Sequence, residues 1–248
     1  VIDELGRVDD GTTQTDTLPL EQRRGITIKS AVVSFAIDNV TVNLIDTPGH
    51  PDFIAEVERV LSVLDGAVLV ISAVEGVQSQ TPLLMRALQR LRVPTLIFVN
   101  KLDRVGADPD RVLEEISARL TPAIVPMGID DGAKLAEVLA DRDESLLAAY
   151  VEGDGVPYRR LREELAAQTG RALVHPVFVG SARTGECVDQ LMAGIAELLP
   201  ASAGDAEGAA SGSVFKIERG PAGEKVAYVR MFSGTVHARE RLNDEKVT

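Results

Sequence analysis

The stretch VPTLIFVNKLD, residues 93 to 103, decides how the chain is read. From Val93 to Val99 the side chains are apolar on both faces of any strand they would form, with Thr95 the one exception. Apolar runs without alternation belong to strands of a parallel sheet covered by helices on each side. Asn100, Lys101 and Asp103 then follow at once. In open α/β sheets ligands lie beyond the carboxyl ends of the strands, which is where these three polar residues fall.

Working outward, GAVLVIS (66–72) and PVFVGSA (176–182) have the same texture and read as buried strands. Residues 53–64, 81–92, 109–120, 143–153, 158–168 and 187–199 carry helical periodicity; Phe53, Val57, Val60, Leu61 and Leu64 share one face of the first. AVVSFAI (31–37) and VTVNLI (40–45) flank Asp38-Asn39, a two-residue hairpin turn. Strands and helices taking turns predict a doubly wound, mostly parallel α/β sheet. Residues 1–27 have no periodicity and are expected to form a long mobile loop. PASAGDAEGAASG (200–212) reads as a linker. Short strand-like runs follow from 213 to 248, too few residues for a β-domain of their own, so the chain is expected to stop inside a second domain.

The 45% hydrophobic content supports a full core. No apolar run approaches the ~20 residues of a membrane helix, and the first residues show no secretion signal. The single cysteine, Cys187, permits no internal disulfide and fits a reducing, cytoplasmic setting. A net charge of −12 argues against non-specific nucleic-acid binding, DNA included, while leaving room for docking through a local basic patch.

Four short signals stand at loops and strand ends. RGIT (24–27) offers the Thr27 hydroxyl to magnesium and its N–H to a terminal phosphate. In LIDTPGHPDF (44–53), Asp46 is placed to hold magnesium through a water. Gly49 there lets the backbone approach a γ-phosphate, and His50 can orient or polarise an attacking water. In NKLD, Asp103 can accept from the N1–H and N2 amine of guanine, a donor pair that adenine lacks on that edge. Asn100 either bonds the base or ties neighbouring loops, and the Lys101 stem can cover the ring. In GSA (180–182), small residues allow a backbone N–H to reach guanine O6. Each signal alone also describes an ordinary polar turn; their order and placement together make a nucleotide site.

RGITI, DTPGHPDF, VLDGAVLVISAVEGVQSQT, NKLD and GSA resemble translational GTPases of the elongation factor G type. VDDGTTQTD, LEQRRGITI, SVLDGAVLVISA and VQSQT are most similar to the ribosomal protection proteins that confer tetracycline resistance. The resemblance covers nearly the whole chain and implies a P-loop-NTPase-like GTP-binding domain over 1–200. It implies a helical insertion at about 121–175, shortened around Pro126 to Gly132, a linker at 201–212, and the start of an antiparallel β-barrel domain at 213–248.

It further implies that Thr27 and Asp46 serve magnesium, Gly49 faces the γ-phosphate and His50 positions the hydrolytic water. Asn100, Lys101, Asp103, Ser181 and Ala182 would hold the guanine of GTP or GDP. The implied partner is the ribosome, from which GTP-driven engagement dislodges tetracycline; the protein itself would be monomeric, without membrane or DNA partners. An elongation factor G translocase is the alternative within the class, and a non-hydrolysing ribosome-binding scaffold the alternative outside it. No G-x-x-x-x-G-K-[ST] phosphate loop occurs in the sequence; the family places that loop upstream of residue 1, so weak nucleotide binding is expected of this stretch taken alone. His175 is expected to be structural, Arg59 solvated, and Cys187 packed in the core rather than reactive.

Overall fold

The computed structural model describes residues 30–47, 54–128, 132–152, 156–202, 204–220, 222–237, 240–242 and 245–246. The expectations for the loop at 1–27, for Thr27, Gly49 and His50 fall outside them.

The centre is a parallel sheet of β3 (Ala67–Ser72), β4 (Thr95–Asn100), β5 (Ile124–Pro126) and β6 (His175–Val179), in the order β3-β4-β6-β5. Around it lie α1 (Ile54–Leu61), α2 (Thr81–Arg90), α3 (Pro109–Arg119), α4 (Gly132–Ala140), α5 (Glu144–Glu152), α6 (Tyr158–Gly170) and α7 (Val188–Leu198). Residue alternation along each strand divides the core into two layers. Leu69, Ile71, Ile97, Val99 and Val177 pack against Met85 of α2 and Val112 and Ile116 of α3. On the opposite face Leu96, Phe98, Val125 and Phe178 meet Leu139 of α4, Leu161 and Leu165 of α6 and Leu198 of α7. The expected doubly wound α/β sheet is present, with helices on both faces.

Local sequence explains the element ends. Asp108 caps α3 by accepting from the Arg111 N–H at 3.0 Å, and Pro109 occupies the first helical turn, where a missing N–H costs nothing. The hairpin of β1 (Ala31–Ile37) and β2 (Val40–Asp46) closes through Asp38 at φ 47°, the left-handed turn that the Asp-Asn pair predicts.

Two expectations need correction, and two elements are not assigned from the sequence. The apolar run GAVLVIS predicts cover on both faces, yet among the described residues β3 is an edge strand and Val70 is 58% exposed. Leu69 and Ile71 are buried against α2 and α3, whereas the alternate face is only partly covered, so an apolar run here does not mean burial on both sides. Within the stretch 121–175, Ile124–Pro126 forms a short strand that joins the sheet beside β6. GAKLAEVLA (132–140), which periodicity does not assign, is the helix α4, short and rich in alanine so that its buried stripe is weakly marked. The last strand spans 175–179, and Ser181 already lies in a turn.

Beyond the sheet, β7 (Ser211–Arg219) and β8 (Lys225–Ser233) form an antiparallel pair, and β9 (Arg241–Leu242) pairs with β10 (Glu245–Lys246). Arg230 of β8 reaches the loop after α1, where its two Nη groups hold Asp65 at 2.6 and 2.8 Å while Nη1 also donates to the Val63 carbonyl. Bidentate pairing of this kind fixes orientation as well as proximity.

Candidate nucleotide-binding site

β4 and β6 are parallel neighbours in register, Val99 beside Val179, so the loops that follow them emerge at one level. The Gly180 N–H donates to the Val99 carbonyl at 2.9 Å, and the Leu102 N–H to the Gly180 carbonyl at 3.1 Å. A Cβ on Gly180 would lie 2.2 Å from the Glu186 carbonyl oxygen, so only glycine allows this crossing. Ser181 then opens a tight turn, its N–H donating to the Glu186 carbonyl at 3.1 Å and its own carbonyl accepting from the Gly185 N–H at 2.9 Å.

Side chains lock the two loops together. Asn100 Oδ1 accepts from the Lys101 N–H at 2.7 Å and from the Ala182 N–H at 2.9 Å. Of the two roles open to Asn100, the structure displays loop-tying. The Ser181 hydroxyl, fully buried, donates to Asp103 Oδ1 and accepts from the Thr184 N–H at 3.2 Å. Arg183 Nε donates to Asp103 Oδ2 at 2.7 Å. The Asp103 side chain is only 9% exposed. The Ser181 hydrogen bond, above all, holds its carboxyl below the ordinary 3.8; Arg183 adds to this and partial desolvation opposes it. Asp103 is therefore ionised and held in one orientation at neutral pH.

Lys101 adopts φ 69°, an uncommon conformation for a residue with a Cβ, and its Nζ pairs with Glu75 at 3.5 Å. Glu75 belongs to the turn after β3, which α3 staples in place. Glu115 accepts from the Val77 N–H at 2.9 Å, Arg111 donates to the Val74 carbonyl at 2.9 Å, and Arg119 to the Val77 carbonyl at 2.6 Å. Three strand ends thus share one scaffold, since the Ala73 N–H also donates to the Asn100 carbonyl at 2.7 Å.

The structure brings Asn100, Lys101, Asp103, Ser181 and Ala182 together. Asp46 ends β2 opposite Ala31, in the separate hairpin. Sequence reasoning missed Arg183 and Glu75; the signal for Arg183 was its place in the turn that begins with GSA. His175 is structural as expected: it is buried, its Nδ1 lies 3.2 Å from the Thr95 carbonyl, and desolvation lowers its pKa. Cys187 is partly buried against the core cluster that contains Phe178, and burial raises its thiol pKa, which disfavours a reactive thiolate. Arg59 is exposed. Among the described residues no helix is long and apolar enough to cross a membrane.

A parallel α/β sheet whose strand-end loops present an oriented carboxylate, an asparagine bridge and a small-residue turn defines a nucleotide-binding domain. The chain belongs to the family of the elongation factor Tu GTP binding domain, whose model matches residues 1–201. It is 52% identical to an oxytetracycline resistance protein of Streptomyces rimosus, an alignment that takes in 100% of this chain and 40% of that protein. It is 47% identical to the tetracycline resistance protein TetM of Streptomyces lividans, over 97% of this chain and 41% of the relative. A crystal structure of a Thermus thermophilus protein superposes with a TM-score of 0.83 at 27% identity, covering 96% of this chain and 42% of that one. The chain spans about two fifths of the length of the curated relatives it matches.

Proposed function

We propose that this chain carries the guanine-reading half of a translational GTPase that acts on the ribosome and protects it from tetracycline. The observation that carries the reading is the Asp103 carboxylate, ionised, almost wholly enclosed and aimed by Ser181. A carboxylate so held accepts from the N1–H and N2 amine of guanine, while adenine would leave it unpaired. Asn100 keeps the Ala182 backbone beside it, so that Ser181 and Ala182 allow close approach of the base. Lys101 follows Asn100 directly, and its stem would cover the ring.

The remaining roles extend the same reading. Asp46 at the end of β2 is a hard oxygen donor of the kind magnesium takes, and it would hold the ion together with Thr27. Magnesium would neutralise phosphate charge during hydrolysis. Gly49 would face the γ-phosphate and His50 would orient the water. The tetracycline-resistance relatives favour ribosomal protection over translocation, because similarity to them extends along the whole chain. Residues 1–200 form the GTP-binding domain, 201–212 its linker and 213–248 the first part of a β-barrel domain; the protein is cytoplasmic, monomeric and uses neither DNA nor membrane.

Asp103→Asn in the full-length protein tests the base site. Its amide can donate to the C2 carbonyl of xanthine, so GDP affinity should fall about 100-fold while xanthosine diphosphate affinity rises. Unchanged GDP binding, measured by calorimetry, would remove Asp103 from the site. If the variant protein, supplied with xanthosine triphosphate, still protects a susceptible host from tetracycline, the protection reading is supported over a translocase.

A further inference from the structure

Among the described residues Asp103 has two side-chain partners, Ser181 and Arg183, and they differ in how easily they can leave. Ser181 is fully buried, its hydroxyl also accepts from the Thr184 N–H, and its backbone is tied to Gly185 and Glu186. It cannot move without dismantling the turn. Arg183 is 57% exposed in its side chain, and among the described residues Asp103 is its only hydrogen-bonding partner. With its guanidinium side open to solvent, this ion pair is more easily exchanged than the buried Ser181 hydrogen bond.

The chemistry of the two possible partners is the same. Guanine presents N1–H and an N2 amine on one carbon, which is itself a guanidine fragment: adjacent N–H donors pointing in one direction. Arg183 presents a guanidinium, and a carboxylate oxygen receives either in the same way. We propose that Arg183 is a built-in competitor for the guanine edge, its guanidinium and the base being alternative partners of Asp103 Oδ2. This role rests on the base-site reading above and is one that the motif residues do not supply. While paired with Arg183, the carboxylate stays oriented and satisfied, and a base that arrives must release the arginine. Arg183 thereby weakens guanine-nucleotide binding and makes part of it depend on ionic strength, because salt screens the pair that has to be broken.

The test measures GDP and ADP binding by the full-length protein and by its Arg183→Ala and Arg183→Gln forms, at low and high potassium chloride. The unfolding midpoint of each variant checks that it folds. Both variants should bind GDP about two- to five-fold more tightly than wild type at low salt. That gap should narrow at high salt, a change to be read between proteins because phosphate contacts are common to all. Equal or weaker GDP binding by both variants overturns the proposal while leaving the GDP preference over ADP intact. Should wild type bind GDP no better than ADP, and Asp103→Ala change neither, the base-site reading fails and the competitor role falls with it.

Discussion

Where β4 and β6 end, each turn is tied to the other, by Gly180 to Val99, Leu102 to Gly180 and Ala182 to Asn100 through hydrogen bonds of 2.9 to 3.1 Å, and by Ser181 to Asp103. The β1–β2 hairpin, which brings Asp46, is built otherwise. Its ladder among the described residues runs only between its own two strands, from Ala31↔Asp46 to Ile37↔Val40, and β1 packs on α7. Leu44 of β2 remains 44% exposed. The β4–β6 end is thus a hydrogen-bonded scaffold whose two turns hold each other in place. Among the described residues the hairpin's backbone ladder joins it to no other strand.

Substitutions at the two ends should separate accordingly. The largest effect is expected at Gly180→Ala, whose Cβ would meet the Glu186 carbonyl at 2.2 Å and the Cys187 Cβ at 2.8 Å. Displacing that turn should cost about 3 kcal/mol in chemical denaturation and abolish preference for GDP. If Gly180→Ala unfolds at the wild-type midpoint, the claim of a rigid base end is broken. Asn100→Ala comes next, since it strips the acceptor from two backbone N–H groups. About 2 kcal/mol of stability should go, together with about ten-fold or more in GDP affinity. Retained affinity would show that loop-tying is dispensable for base recognition. The smallest change is expected at Asn43→Ala, which removes an exposed cross-strand hydrogen bond from Ser34 at 2.7 Å. Denaturation there should shift by about 0.5 kcal/mol or less, with GDP affinity unaltered. A loss as large as that of Asn100→Ala would put hairpin and base end on the same footing.

How far these features were legible in the sequence depended on whether the signal was local. VPTLIFVN announced its strand because nearly every position is apolar, and the Asp38-Asn39 turn announced its hairpin through residues that tolerate φ > 0. β5 was illegible because three residues, Ile124 to Pro126, carry no periodicity; only pairing with β6 makes them a strand. Val70 misled because its apolar character says nothing about whether the sheet continues past β3. In the site, NKLD and GSA were readable as motifs, whereas Arg183 and Glu75 were not: an arginine after a small-residue turn and a glutamate after a strand have no pattern until the loops meet.

The amino-acid sequence by itself determined the alternating α/β plan, the strand-end position of Asn100, Asp103 and Ser181, and the chemistry by which a carboxylate favours guanine. These follow from side-chain type and period alone. Tertiary structure decided that Asn100 serves as the tie between loops 82 residues apart, that Ser181 aims Asp103, and that Arg183 shares the carboxylate. The reason is geometric: β4 and β6 become neighbours only when the sheet forms, and only then do the polar atoms of the two loops come within hydrogen-bonding reach.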